Sequence, residues 1–260
     1  MVTQINEHIE EKDASSVDSK FGLERLIDSH KQILIRSFEK VIGKYEAIWQ
    51  YYRTKMPSCI TSCRNSYGSD VDGPQGIYWI GSNVKILFVG LENYGWPQLL
   101  DYSYEKIEYE PLRFFFYQTK DMQGFWQRIN EIAYCCINGN DQKEWHEVID
   151  YIAVTNLCKC FCSKQQYHLY DRCWEEGFLK YELDTVDSPI NVLFTNKYDI
   201  IDDITNSKSY DFHNNLIWKT INKGKVYYQL SHPSRLHTNV INILCNDIKN
   251  ELAERNQVED

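Results

Sequence analysis

No apolar run in the sequence approaches the length of a membrane span, so no transmembrane helix is expected. The polar start MVTQINEHIEEKD lacks the basic and then apolar pattern of a secretory signal, and a cytoplasmic protein without a membrane partner is expected. Positive charge is scarce: 28 Lys and Arg face 37 Asp and Glu, a formal net charge of −9. That balance argues against gripping nucleic acid over a broad basic surface, a mode that needs many cations on phosphates, and leaves room only for a short basic strip. There is no internal repeat and no low-complexity tract. Cysteine, by contrast, is plentiful. In a reducing compartment nine cysteines are read as free thiols or metal ligands, and the odd count fits a disulfide framework poorly.

At 43% hydrophobic and 25% charged, the 260 residues have the balance of an ordinary globular chain. This length can bury one full α/β core. Its 14% aromatic content includes 19 Tyr and 7 Trp, most of them accounted for by core packing. Residues 1–19 are polar, acidic and without periodicity, and read as a mobile tail. Residues 20–75 then hold a helix and a cysteine-bearing loop, 76–254 form the core, and 255–260 are a short tail.

From Phe21 to about Tyr52 apolar residues recur at helical spacing and predict a long amphipathic helix docked on the core. Beyond it, KILFVG at 85–90, YIAVTN at 151–156, NVLFT at 191–195 and KVYYQLS at 225–231 read as buried strands. Helices are expected over about 125–137, 141–149, 173–183 and 238–254. Such alternation predicts a three-layer α/β/α sandwich around a central, mostly parallel four-stranded sheet, with the long N-terminal helix added.

Three chemistry-bearing segments follow or finish those strands: GLENYG at 90–95, VTNLCKC at 154–160 and SHPSR at 231–235. In an open parallel sheet the carboxyl ends share one edge, so Glu92, Asn156 and His232 are expected in one crevice. Each residue also has an ordinary reading: a solvated or helix-capping carboxylate, a turn amide, a turn-initiating imidazole.

The three motifs, in this order and at these strand ends, resemble the uracil-DNA glycosylase superfamily over roughly residues 59–250. GLENYG is similar to its first motif, with Gly90 at the strand end, Glu92 two residues on, and Tyr94 where one branch keeps a tyrosine against the C5 edge of the base. VTN is similar to the strand ending in a base-reading Asn, here Asn156, and HPSRL resembles the His-Pro-Ser motif followed by a wedging side chain. The resemblance implies a monofunctional DNA glycosylase that flips out a pyrimidine-type base and hydrolyses its N-glycosidic bond. Asn156 offers a donor and an acceptor to the base edge, and His232 donates to O2 as negative charge grows on the leaving base. Glu92 orients water or stabilises the cationic sugar. Leu236 fills the gap left by the flipped nucleotide, with Ser234 and Arg235 on adjacent phosphates. In FFFY at 114–117, core packing competes with stacking on the base by Phe114, Phe115 or Phe116, and Phe115 is taken forward as the base-binding candidate.

Cys59, Cys63, Cys160 and Cys173 resemble the ligand set of the iron–sulfur branch of that superfamily, which implies a structural [4Fe-4S] cluster. Zinc in the same thiols, or buried thiols without metal, are the alternatives. Cys135, Cys136, Cys158, Cys162 and Cys245 read as buried apolar positions or spares. Cys59 and Cys63 are more widely spaced than the usual first pair. Asn93 stands where many members have proline, Glu92 is longer than the usual Asp or Asn, and TNKYD at 195–199 replaces a small glycine end. These departures admit uracil or an enlarged or modified pyrimidine, such as the modified cytosines of phage genomes, and hence a setting in repair or phage defence. The expected partner is DNA carrying the target base; the sequence leaves the oligomeric state open, with a monomer favoured. The rival reading is an idle member that binds DNA or nucleotide, or an interaction module built on the N-terminal helix.

Overall fold

The structure is a computed structural model, and it describes residues 36, 39–55, 58, 71–74, 79–90, 125–138, 148–157, 160–162, 173–195, 200–232 and 235–257. It is a mixed α/β fold built on a seven-stranded sheet. Strands β1 (Val71–Pro74), β2 (Trp79–Ile80), β3 (Ile86–Gly90), β4 (Ile152–Asn156), β5 (Cys160–Cys162), β6 (Ile190–Leu193), β7 (Tyr210–His213), β8 (Ile217–Asn222) and β9 (Lys225–Leu230) follow in chain order. The helices are α1 (39–55), α2 (Phe125–Asn138), α3 (Phe178–Val186), α4 (Ile200–Thr205) and α5 (Thr238–Asn256).

The large sheet runs β2-β4-β3-β6-β9-β8-β7. Its centre, β4-β3-β6-β9, is parallel throughout and consists of the four strands expected from sequence. Every residue of β3, β4 and β6 is buried, as befits strands covered on both faces. The expected count of four strands is corrected to seven, because antiparallel β2 adds to one edge and the β7–β8 hairpin to the other.

Register shows which residues share a face. Phe88, Val154, Val192 and Tyr228 form one row across the sheet, and the next row, Val89, Thr155, Leu193 and Gln229, points the opposite way. Tyr228 donates its hydroxyl to Asp247 on α5. From the other face Thr155 donates to Glu182 on α3 at 2.8 Å, and the Gln229 carbonyl oxygen accepts from the Ile201 N–H of α4 at 3.1 Å. Helices therefore cover both faces of the sheet.

Helix α1 packs near the β2 edge, where the Tyr45 hydroxyl accepts from the Ile80 N–H at 2.8 Å and Lys44 donates to the Val186 carbonyl at the end of α3 at 2.9 Å. Its described part runs to residue 55, past the expected end near Tyr52, and residues 21–35 lie outside the described residues. The helix expected over 173–183 is broken. Residues 173–175 form one turn, Gly177 takes φ +78°, and α3 starts at Phe178. Left-handed backbone at Gly177 is inexpensive only for glycine, and it ends one helical segment and re-aims the next. Of the helix expected over 141–149, residues 141–147 lie outside the described residues, and the chain enters β4 through a 3-10 turn at Ile149–Tyr151.

Candidate functional site

Strand order alone places a crevice. From β3 the chain crosses to β4 on one side and then to β6 on the other. The β3–β6 boundary is thus a topological switch point, outside whose carboxyl end open α/β sheets bind ligands. The carboxyl ends along that edge are Asn156 on β4, Gly90 on β3, Leu193 on β6 and Leu230 on β9.

Gly90 and Asn156 are direct partners in the parallel ladder. The Gly90 carbonyl accepts from the Leu157 N–H at 2.8 Å, which holds the two strand ends together just where both chains leave the sheet. Asn156 is 5% exposed, so its amide sits at the base of the edge rather than in open solvent. His232 lies two residues beyond β9, half-buried. Its carbonyl accepts from the Arg235 N–H at 2.9 Å in a tight turn. Burial pushes the His232 imidazole below its ordinary pKa, and the Arg235 guanidinium adds to the effect, so the ring is held neutral near pH 7. From β4 to β9 is three strand spacings, about 14 Å.

Arg235 is exposed, free to meet an anion. Leu236 is 7% exposed and packs in the same core as Val240 and Ile241. A wedging role therefore requires the 232–237 segment to rearrange on DNA. Glu92, Tyr94, Phe115 and Ser234 lie outside the described residues.

Beneath the edge sits a group that sequence reading passed over. Glu182 is wholly buried, and its carboxylate accepts from the Tyr52 hydroxyl of α1 and from Thr155, the residue before Asn156. A signal was present: Glu182 falls inside the apolar stripe Phe178, Leu179, Leu183 and Val186, where an acidic residue needs a partner. The carboxylate ties α1 and α3 to the strand that carries Asn156.

For the expected metal ligands, Cys59 and Cys63 lie outside the described residues. Cys160 opens β5, which pairs with β1 so that Pro74 faces Cys160. Cys173 is wholly buried in the turn before α3. Among the described residues no group of three or more His, Cys, Asp or Glu is disposed to hold a metal ion, and of the four expected ligands only the Cys173 side chain is described.

Comparison with models of known protein families gives no match, and no curated protein matches the chain.

Proposed function

We propose that the protein is a monofunctional DNA glycosylase of the uracil-DNA glycosylase type, which binds a flipped pyrimidine-type base at the carboxyl edge of β4, β3, β6 and β9. One observation carries the reading. The register sets Gly90 against Asn156, and the strand order brings the His232 segment to the same edge across the switch point. Asn156 reads the pyrimidine edge through its paired donor and acceptor. A neutral His232 donates an N–H to the pyrimidine O2 as the glycosidic bond breaks, and one such donor typically contributes about 3 kcal/mol to the transition state. Glu92, two residues beyond Gly90, is the group to orient water or offset sugar charge. The changes at Glu92, Asn93 and 195–199 widen the candidate substrates from uracil to modified cytosines.

Cys59, Cys63, Cys160 and Cys173 would hold the [4Fe-4S] cluster in this reading, and its contribution is structural. The β1–β5 ribbon favours that assignment, since it brings the chain downstream of Cys63 against Cys160. All four donors are thiols, the donor type such clusters take. Protein purified without oxygen should be brown and contain iron, and a colourless, iron-free product would remove the cluster from the account.

The deciding experiment is abasic-site formation on a panel of uracil DNA in single and double strands, hydroxymethylated and glycosylated cytosine DNA, and plain DNA, with Glu92→Gln alongside. Abasic sites on one substrate, lost in Glu92→Gln, establish the reaction and the base. The burial of Leu236 favours a second reading, a pocket that binds nucleotide or DNA without cleaving it. Intact binding with no abasic sites on any DNA would select it.

A further inference from the structure

Glu182 stands on α3 within the apolar stripe Phe178, Leu179, Leu183 and Val186, and it is wholly buried. An apolar side chain would fill that place without losing hydration, and exchanging buried ionic groups for apolar ones is often neutral or stabilising. Packing alone therefore does not account for a carboxylate here. Its two oxygens reach two different elements: Oε1 accepts from the Tyr52 hydroxyl of α1, and Oε2 accepts from the Thr155 hydroxyl of β4 at 2.8 Å.

The end of β4 is where such a bond has most to fix. β2 pairs with β4 at Ala153 and Val154, whereas β3 pairs with it as far as Asn156. Among the described residues, Thr155 and Asn156 are thus laddered on one side alone. Successive side chains of a strand alternate in direction, so Thr155 faces α3 while Asn156 faces away from it. A bond at Thr155 holds the backbone from which the Asn156 amide projects. The α1 limb is docked in its turn. Tyr51 stacks on Tyr181 at 4.1 Å between ring centroids and donates to the Glu176 carbonyl at 3.0 Å, and Tyr52 lies edge-on to Phe178 at 5.1 Å. These partners belong to α3 or to the turn leading into it, so α1 and α3 clasp the carboxylate between them.

We propose that Glu182 is a positioning residue for Asn156, an inference that rests on the base-reading role proposed for that amide. Through Thr155 the carboxylate fixes the one-sided end of β4, and through Tyr52 the docking of α1 fixes the carboxylate. Glu182 itself touches no base. Its effect is on where the Asn156 amide stands, and a misplacement of about 1 Å can slow a reaction by about 10²-fold.

The test reads the Asn156 side-chain amide by heteronuclear NMR in the full-length protein, assigned by its loss in Asn156→Asp, beside urea midpoints and single-turnover abasic-site formation. Thr155→Val removes the hydroxyl and keeps the shape. Its Asn156 signals should shift or broaden, and base release should slow by up to about 10²-fold at unchanged DNA affinity. Tyr52→Phe should move the same signals the same way by less, since the Thr155 bond remains. Glu182→Gln should leave them near their wild-type positions, because an amide accepts from one hydroxyl and donates to the other, which turns to accept. Glu182→Leu suits the apolar stripe and keeps the fold, yet should displace the signals as Thr155→Val does. Lys219→Met controls for stability alone, loosening α5 from the sheet while leaving the Asn156 signals in place. Wild-type Asn156 signals in both Thr155→Val and Glu182→Leu would overturn the proposal, even in a protein that releases bases. Displaced signals in a protein that releases no base from any DNA would uphold the positioning and remove the glycosylase reading.

Discussion

At His232 the neighbouring residues set the chemistry. Burial is the larger cause of its lowered pKa and the Arg235 charge the smaller. In Arg235→Ala the imidazole titration, followed by NMR, should move upward and still lie below the ordinary value near 6.5. A midpoint at or above that value would mean that the half-buried setting of His232 is wrong. The sign for stability follows from linkage. A histidine whose folded pKa is depressed contributes fully above the unfolded value, and the contribution falls as pH drops from about 6.5 through the folded midpoint. Glu182 gives a second test at this scale. Tyr52→Phe removes one hydroxyl from a buried carboxylate, and hydrogen bonds to charged groups are worth about 1.5–3 kcal/mol, so urea unfolding should show a loss of that order. No change would mean that Tyr52 adds nothing to the hold on Glu182.

Among the elements, those buried on both faces were legible and those on the margins were not. β3, β4 and β6 are buried throughout, and such strands appear in sequence as continuous apolar runs such as ILFVG. β7 has only exposed and half-exposed residues, and β2 has two residues, too few to show a period. The β8–β9 turn was written in the sequence as Lys223-Gly224, both at positive φ, which suits a two-residue hairpin. That signal carries meaning only once β8 is recognised as a strand. The site divides the same way: strand ends exposed Gly90, Asn156 and His232 to sequence reading, whereas Glu182 left only an acidic residue inside an apolar stripe, and its partners Tyr52 and Thr155 depend on tertiary packing. Packing also explains how α5 is fixed to the sheet. Lys219 of β8, 6% exposed at its side chain, pairs with Asp247 at 2.6 Å and Glu251 at 2.8 Å. Burial draws the Lys219 pKa down, but hydrogen bonds and charge from both carboxylates outweigh it and raise the net value. The ammonium's contribution is complete below about pH 10.4 and is lost as pH rises through the higher folded value. Lys219→Met leaves Asp247 with the Tyr228 hydroxyl and Glu251 with Arg255 at 4.0 Å, so the loss should fall below the about 3–5 kcal/mol of a fully stranded buried charge, readable as a lower midpoint in denaturant. An unchanged midpoint would show that Lys219 adds nothing to the hold on α5.

For the whole molecule, no described helix is long and apolar enough to cross a membrane. The excess of nine negative charges has a consequence for DNA. If the proposed function holds, affinity for DNA comes from local cations such as the exposed Arg235, so binding should be weak on unmodified duplex and fall steeply with salt. The parallel centre of the sheet brings residues 90, 156 and 232 to one edge although they are far apart in the chain. The central claim is that this edge is one base-binding and base-releasing pocket. It is tested most directly by the single-turnover rate of abasic-site formation in wild type, Asn156→Ala and His232→Ala, with DNA affinity measured on the same samples. His232→Ala is expected to slow the step by about 10²–10³-fold at nearly unchanged affinity, as for loss of one preorganised donor. Asn156→Ala should lose discrimination between bases as well as rate. Wild-type rates retained in both variants would contradict the account.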